Sequence, residues 1–141
     1  MRDVLDFIQT VGVWSIAAIG ARIAWQQKEI AAEKIKLEKF DRRFKVFEAT
    51  RSFLSHILTT GNVDNEQEKE FWVATSDAIF LFDAEIEEFI RDLRLRAIYF
   101  PSLNREQAKF PEKRQEAFNQ FEKDIMTLPD RFSKYLKLRV H

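Results

Sequence analysis

The sequence predicts an all-α protein: an N-terminal transmembrane helix that continues into a long charged helix, then a small helical bundle. Three observations carry that expectation. Residues 7 to 25 read FIQTVGVWSIAAIGARIAW, nineteen residues dominated by apolar side chains. The following stretch has neither Gly nor Pro until Gly61. The 141 residues hold only three Gly and three Pro beside 33% charged residues, a balance that favours long helices with short connections over sheets, which need more turn residues.

As a helix, the apolar run extends roughly 28 Å, close to the hydrocarbon thickness of a bilayer. Gln9, Thr10 and Ser15 lie inside it and Arg22 sits near its end, where a long cationic side chain snorkels toward the headgroups. A cleaved signal peptide fits poorly, because Asp3 and Asp6 flank the start and the helical pattern continues past Trp25. A surface-lying helix fits poorly too. At 100° per residue Ser15 and Arg22 project opposite to Asp6, Gln9 and Thr10, so the polar residues share no face. The remaining competitor is a buried core helix. A span is favoured over it because so continuous an apolar run is seldom followed by so highly charged a helix.

The flanking charges give a direction. Lys28, Lys34, Lys36, Lys39, Arg42, Arg43 and Lys45 follow the run, and Arg2 alone precedes it. The positive-inside tendency therefore predicts an inner-membrane, single-pass topology with the N-terminus outside and the C-terminal domain cytoplasmic. Asp6, Gln9, Thr10, Val13, Ala17, Gly20, Ala21 and Ala24 fall within a sector of about 120° on this helix. The spacing of Ala17 with Ala21 and Gly20 with Ala24 permits close backbone approach, and the polar residues above them suit hydrogen bonds across a seam. The stripe is the candidate interface for self-association. A sector of small residues is also common in single spans that do not associate.

Residues 1–25 are thus expected to be the anchor, 26–45 a charged neck and 46–141 the cytoplasmic bundle. In the neck and after it, Ile23, Ile30, Leu37, Phe40, Phe44, Phe47, Leu54 and Leu58 line up, with a heptad-like alternation from Leu37 that breaks at Arg51. Glu38 with Arg42 and Asp41 with Lys45 are spaced as favourable helical pairs. One helix is expected to run to about Leu58, its first part suited to a coiled-coil neck. TTGNVDN at 59–65 is the clearest break: Gly61 suits a left-handed helix end, and Asp64 or Asn65 suits an N-cap. A helix over 65–81 should follow. Asp83 reads as the next cap, followed by a helix to about Tyr99 that Pro101 stops. After the loop FPSLNREQAKFP, Pro111 opens a helix with Ala117, Phe118, Phe121, Ile125 and Leu128 on one face, and Pro129 starts a short last helix. The fourteen Phe are the expected filling of the core.

The patterns FDRRFKVFEATRSFLSHIL, GNV, FLFDAEIEEFI and the closing DRFSKYLKL resemble those of an uncharacterised family of small bacterial proteins with an N-terminal membrane anchor and a helical cytoplasmic domain. The resemblance covers most of the chain and implies this architecture. It implies no activity, because the shared patterns serve packing and capping.

Catalytic constellations are missing from the sequence. Glycines at 12, 20 and 61 are too far apart to cradle phosphate, and no Walker or dinucleotide motif occurs. His56 lacks a partner at metal-ligand spacing; His141 is terminal. Ser52 and His56 share a helix face without an acidic orienter. Glu85, Glu87 and Glu88 follow an N-cap, where the helix dipole favours them. With no Cys, thiolate chemistry is excluded. No cofactor or metal is expected, and the chain reads as a non-enzyme.

Charge is uneven although the net is zero. Residues 64–90 carry nine acidic side chains against Lys69, whereas Arg91, Arg94, Arg96, Arg105, Lys109, Lys113 and Arg114 face only Asp92, Glu106 and Glu112. The basic set is a possible surface for lipid, nucleotide or the acidic segment. Nucleic acid is an unlikely partner for a neutral chain with no recognition fold. The expected function is a membrane-anchored, self-associating scaffold, sensor or recruiter of a cytoplasmic protein partner. The alternative is an oligomeric pore or effector of a toxin or defence system, built around Asp6, Gln9 and Thr10.

Overall fold

The computed structural model describes residues 2–137, with side chains from residue 3 onward; His141 lies outside the described residues. It is all-α. Helix α1 covers Arg2–Thr60, α2 Asn65–Thr75, α3 Ala78–Leu81, α4 Ala84–Arg105 and α5 Pro111–Phe132, and a 3-10 turn, Ser133–Tyr135, closes the described chain. Two compact units divide it, Met1–Glu38 and Lys39–His141.

In the first unit the described residues form a single helical segment whose side chains are exposed from Asp3 to Glu38. Thr10 Oγ1 donates to the Asp6 carbonyl at 2.8 Å and Ser15 Oγ to the Val11 carbonyl at 2.9 Å. Both hydroxyls therefore spend their donors on the helix's own backbone, which lowers the cost of placing them in an apolar surrounding.

The second unit is the bundle. From α1 it takes Val46, Thr50, Phe53, Leu54 and Ile57, an i, i+3/i+4 series that forms one buried stripe. Phe71 of α2 stacks on Phe53 with centroids 4.4 Å apart. From α4 come Ile86, Phe89, Ile90, Leu93, Ala97 and Phe100, and from α5 Phe121, Leu128 and Phe132. Phe100 meets Phe121 edge-on at 5.2 Å, and Phe82 meets Phe132 edge-on at 5.2 Å. Such pairs each contribute about 0.5–1.5 kcal/mol beyond their burial. The two buried threonine hydroxyls are satisfied: Thr50 donates to the Val46 carbonyl and Thr75 to the Phe71 carbonyl.

The connections follow local chemistry. Gly61 ends α1 at φ 70°, the left-handed conformation that L side chains resist, and its N–H reaches the Ile57 carbonyl at 2.8 Å. Asp64 caps α2, its carboxylate accepting from the Glu66 N–H at 3.3 Å. Asn104 donates to the Gly61 carbonyl and to Asn62 Oδ1, while Arg114 Nε donates to Asn104 Oδ1 at 2.6 Å, so the α1–α2 loop is tied to α4 and α5.

Three local expectations need correction. The helix expected over 65–81 divides at Ser76 and Asp77 into α2 and α3. There Thr75 and Ser76 turn their hydroxyls onto the carbonyls of Phe71 and Val73, competing with helix continuation. Pro101 does not stop α4, which runs on to Arg105; Phe100 is buried and Leu103 packs against the core, so packing offsets the missing N–H. The connection to α5 accordingly shrinks to residues 106–110. Pro129 lies inside α5 rather than starting a new helix, between the buried Leu128 and Phe132. Asp83 does occupy the N-cap position of α4 with an extended backbone, yet its carboxylate makes no capping bond. It lies 3.3 Å from Lys134 Nζ.

Candidate functional site

In the first unit, Asp6, Gln9, Thr10, Val13, Ala17, Gly20, Ala21 and Ala24 all lie on exposed turns of α1. A Cβ added at Gly20 would meet nothing within 4 Å, so the backbone is open there to an approaching surface. Around this stripe the helix carries the exposed large side chains Phe7, Trp14, Ile16, Ile19 and Trp25. Trp25 Nε1 donates to Glu29 Oε1 at 3.1 Å, one turn into the charged region.

The seven basic residues from Arg91 to Arg114 do not share one face. On α4, Arg91 and Arg94 line a groove of ≈ 220 Å³ with Ser76, Ile79 and Glu87. Arg91 is bonded to Glu87 at 2.8 Å. The Arg94 guanidinium lies over the Trp72 ring, 3.1 Å from its centroid. Desolvation there pulls its pKa below the usual arginine value, against the opposing pull of Glu68.

Arg96 points the other way, toward α5. Its Nε donates to Asp92 at 2.8 Å and its Nη2 lies 2.6 Å from Asp124 Oδ2. The latter contact is too bent to count as a hydrogen bond and is held by charge, while Gln120 donates to the other Asp124 oxygen at 3.2 Å. Asp124 is 1% exposed, so this is a buried ion pair. Arg105 donates to Ser102 Oγ, Lys113 lies over the Phe110 ring, and Arg114 serves the loop network with its guanidinium over Phe100 and Phe118. Lys109 is exposed in the α4–α5 connection. Of these seven, Arg91 and Arg96 are held in ion pairs, while Arg94, Lys113 and Arg114 lie over aromatic rings.

A second cluster sits where Asp83, Lys134 and Tyr135 meet. The Tyr135 hydroxyl first, and the Lys134 ammonium after it, hold the Asp83 carboxyl below the usual carboxylate value. Lys134 is raised by Tyr135 and by Asp83, and Tyr135 is raised mainly by burial. Tyr135 Oη is shut off from solvent without a hydrogen bond of ordinary geometry. Its influence is that of a close polar neighbour rather than of a formed bond. Arg43 reaches the same region, donating to the Leu81 carbonyl at 2.8 Å with its guanidinium 5.4 Å from the Tyr135 ring centroid.

Sequence reasoning did not single out the exposed apolar surface of α2 and α3. Trp72, Val73, Ile79 and Phe80 stand open to solvent, Phe80 at 83%. A shallow groove of ≈ 440 Å³ lined by Asn65, Glu68, Lys69, Trp72 and Val73 adjoins them. The run Phe71, Trp72, Val73 held the signal, since three consecutive apolar residues on a helix cannot all face one core.

His56 lies with Thr60, Asn62, Asp64 and Arg105 around an open polar hollow. Glu85 pairs with Lys134 and Glu87 with Arg91. Among the described residues, no three His, Cys, Asp or Glu side chains are grouped to hold a metal ion.

Together these features define a class: a helical-bundle protein with one helix, Asp3–Thr60, long and apolar enough to cross a membrane. Compared with protein families, with curated proteins and with solved structures, the chain matches none.

Proposed function

We propose that this chain is a non-enzymatic, single-pass protein of the bacterial inner membrane. In this reading its cytoplasmic bundle acts as a scaffold, sensor or recruiting module, and the chain self-associates through the span. The observation that carries the reading is the state of the apolar run. Its most hydrophobic window has mean hydropathy 1.5 and none of it is buried within the chain. In water so large an unburied apolar surface is costly. A core helix, the competing account of the same sequence, would be covered by its own protein.

The bundle supports a binding role. Trp72, Val73, Ile79 and Phe80 stand exposed on the consecutive helices α2 and α3, Phe80 at 83%. The basic residues after Trp25 support the N-out, C-in direction. The test is fractionation of the full chain. Retention in carbonate-washed inner membranes, with the C-terminus cleaved by protease only in inverted vesicles, is the expected result. A soluble full-length monomer would sink the proposal.

The polar group Asp6, Gln9 and Thr10 within the apolar run favours a second reading, an oligomeric pore or effector. Overexpression should then depolarise the membrane, and Ala17→Leu should abolish that effect; an undisturbed potential leaves the scaffold.

A further inference from the structure

Resting on that membrane reading, we propose that residues 23–37 of α1, the end of the anchor and the first part of the neck, dock on a second copy of this chain as a parallel helical seam. Ile23, Ile30 and Leu37 recur at intervals of seven and are 49%, 65% and 52% exposed, so among the described residues no other element covers them. Seven-residue spacing is the period at which two helices supercoil with one face kept in contact. Gln26 and Glu33 fill the alternate positions of the same seam.

Charge complementarity selects a second copy as the occupant. Among the described residues, the ion pairs within the chain all lie from Glu48 onward. Lys28, Glu33, Lys34, Lys36 and Glu38 thus enter into none of them, and Glu29 is engaged through one oxygen by Trp25. With Ile23, Ile30 and Leu37 innermost, Glu29 borders the seam on one side and Lys34 on the other. In a parallel pair, Glu29 faces Lys34 of the second copy, and two-fold symmetry repeats the contact. Arg22 faces Gln27 in the same way, so no like charges meet across these flanks. Parallel orientation is what two spans inserted in the same direction impose.

The seam is weak by composition. Glu33 meets Glu33 of the second copy, and Gln26 is polar, so association relies on the high effective concentration that tethering in one membrane provides. That dependence separates the neck from a free-standing zipper.

The full-length chain in its own membranes provides the test. It has no cysteine, so single cysteines report without background. Ile30→Cys and Leu37→Cys are expected to form disulfide-linked dimers. Ile35→Cys, equally exposed at 64% but on the outer face of this register, is expected to stay monomeric. On the Ile30→Cys background, Glu29→Lys or Lys34→Glu alone should reduce dimer yield about tenfold, since each turns two attractive contacts repulsive. Co-expressing the two variants, or combining both changes in one chain, should restore the yield. Equal cross-linking at Ile35, indifference to the charge changes, or failure of the paired variants to recover would overturn the seam. Membrane fractionation of the same cells is read separately. A chain found in the membrane without these cross-links refutes the seam and spares the anchor, whereas a chain outside the membrane removes both.

Discussion

At the scale of single residues, the bundle sets a few of its charges against specific partners. Asp124 is the sharpest case. Its carboxylate is sealed from solvent and faces Arg96, which also holds the exposed Asp92. Removing the buried partner strands a guanidinium that retains one solvent-side ion, so Asp124→Asn is expected to cost about 2 kcal/mol, below the full penalty for breaking a buried pair. Denaturant unfolding of the full chain in detergent measures it, and a loss below a few tenths of a kcal/mol would mean that Asp92 alone satisfies Arg96. The Asp83–Lys134–Tyr135 cluster has a pH signature instead. The Asp83 value is depressed, so its contribution is present above the ordinary carboxylate value and fades as pH falls through the folded one. Lys134 and Tyr135 are raised, so theirs are present below their ordinary values and fade at strongly alkaline pH. Asn caps a helix as well as Asp does. Asp83→Asn should therefore lower the melting temperature at pH 7 and lower it progressively less as the pH falls through the ordinary carboxylate value toward the depressed one; an equal drop throughout would assign the loss to something other than charge.

At the scale of elements, the sequence was legible where a local signal and the core agreed. Gly61 marked the end of α1 because a left-handed residue is wanted there, and Asp64 marked the start of α2 because its side chain replaces a missing acceptor. Pro111 marked the start of α5 for the same kind of reason. The prolines at 101 and 129 misled because a missing N–H is a local penalty, whereas the burial of Phe100 and Phe132 that outweighs it depends on other helices. The Arg94–Trp72 stack and the Arg96–Asp124 pair were hidden likewise, being contacts between helices that no spacing along the chain encodes. Pro101 offers a direct measurement. Its absent N–H leaves the carbonyl of the buried Ala97 without its helical donor. Pro101→Ala should raise stability by about 1 kcal/mol, the restored hydrogen bond and helix propensity being partly offset by a freer unfolded chain. A destabilised variant would show that the proline ring, which lines the hollow beside Val63 and Asn65, is itself a packing element.

At the scale of the whole molecule, the apolar run and the neck pose a geometric problem that assembly has to solve. Within the first unit, the Ala17, Gly20, Ala21 and Ala24 stripe and the Ile23, Ile30 and Leu37 stripe lie roughly 130° apart around the same helix. Supercoiling shifts a stripe by only about 20° per heptad, too little over so short a segment to bring both onto one partner. If the neck closes on a second copy, the small-residue stripe therefore faces away from that copy and toward a third. The two faces then act as separate contacts, and the assembly grows beyond a pair. Cysteines make this countable. Ala24→Cys alone and Ile30→Cys alone should each give dimers on oxidation in membranes, and the double variant should give a ladder of trimers and larger species. A double variant that stops at dimers would mean that both stripes meet the same neighbour, which requires α1 to depart from regular helical winding between Gly20 and Ile30.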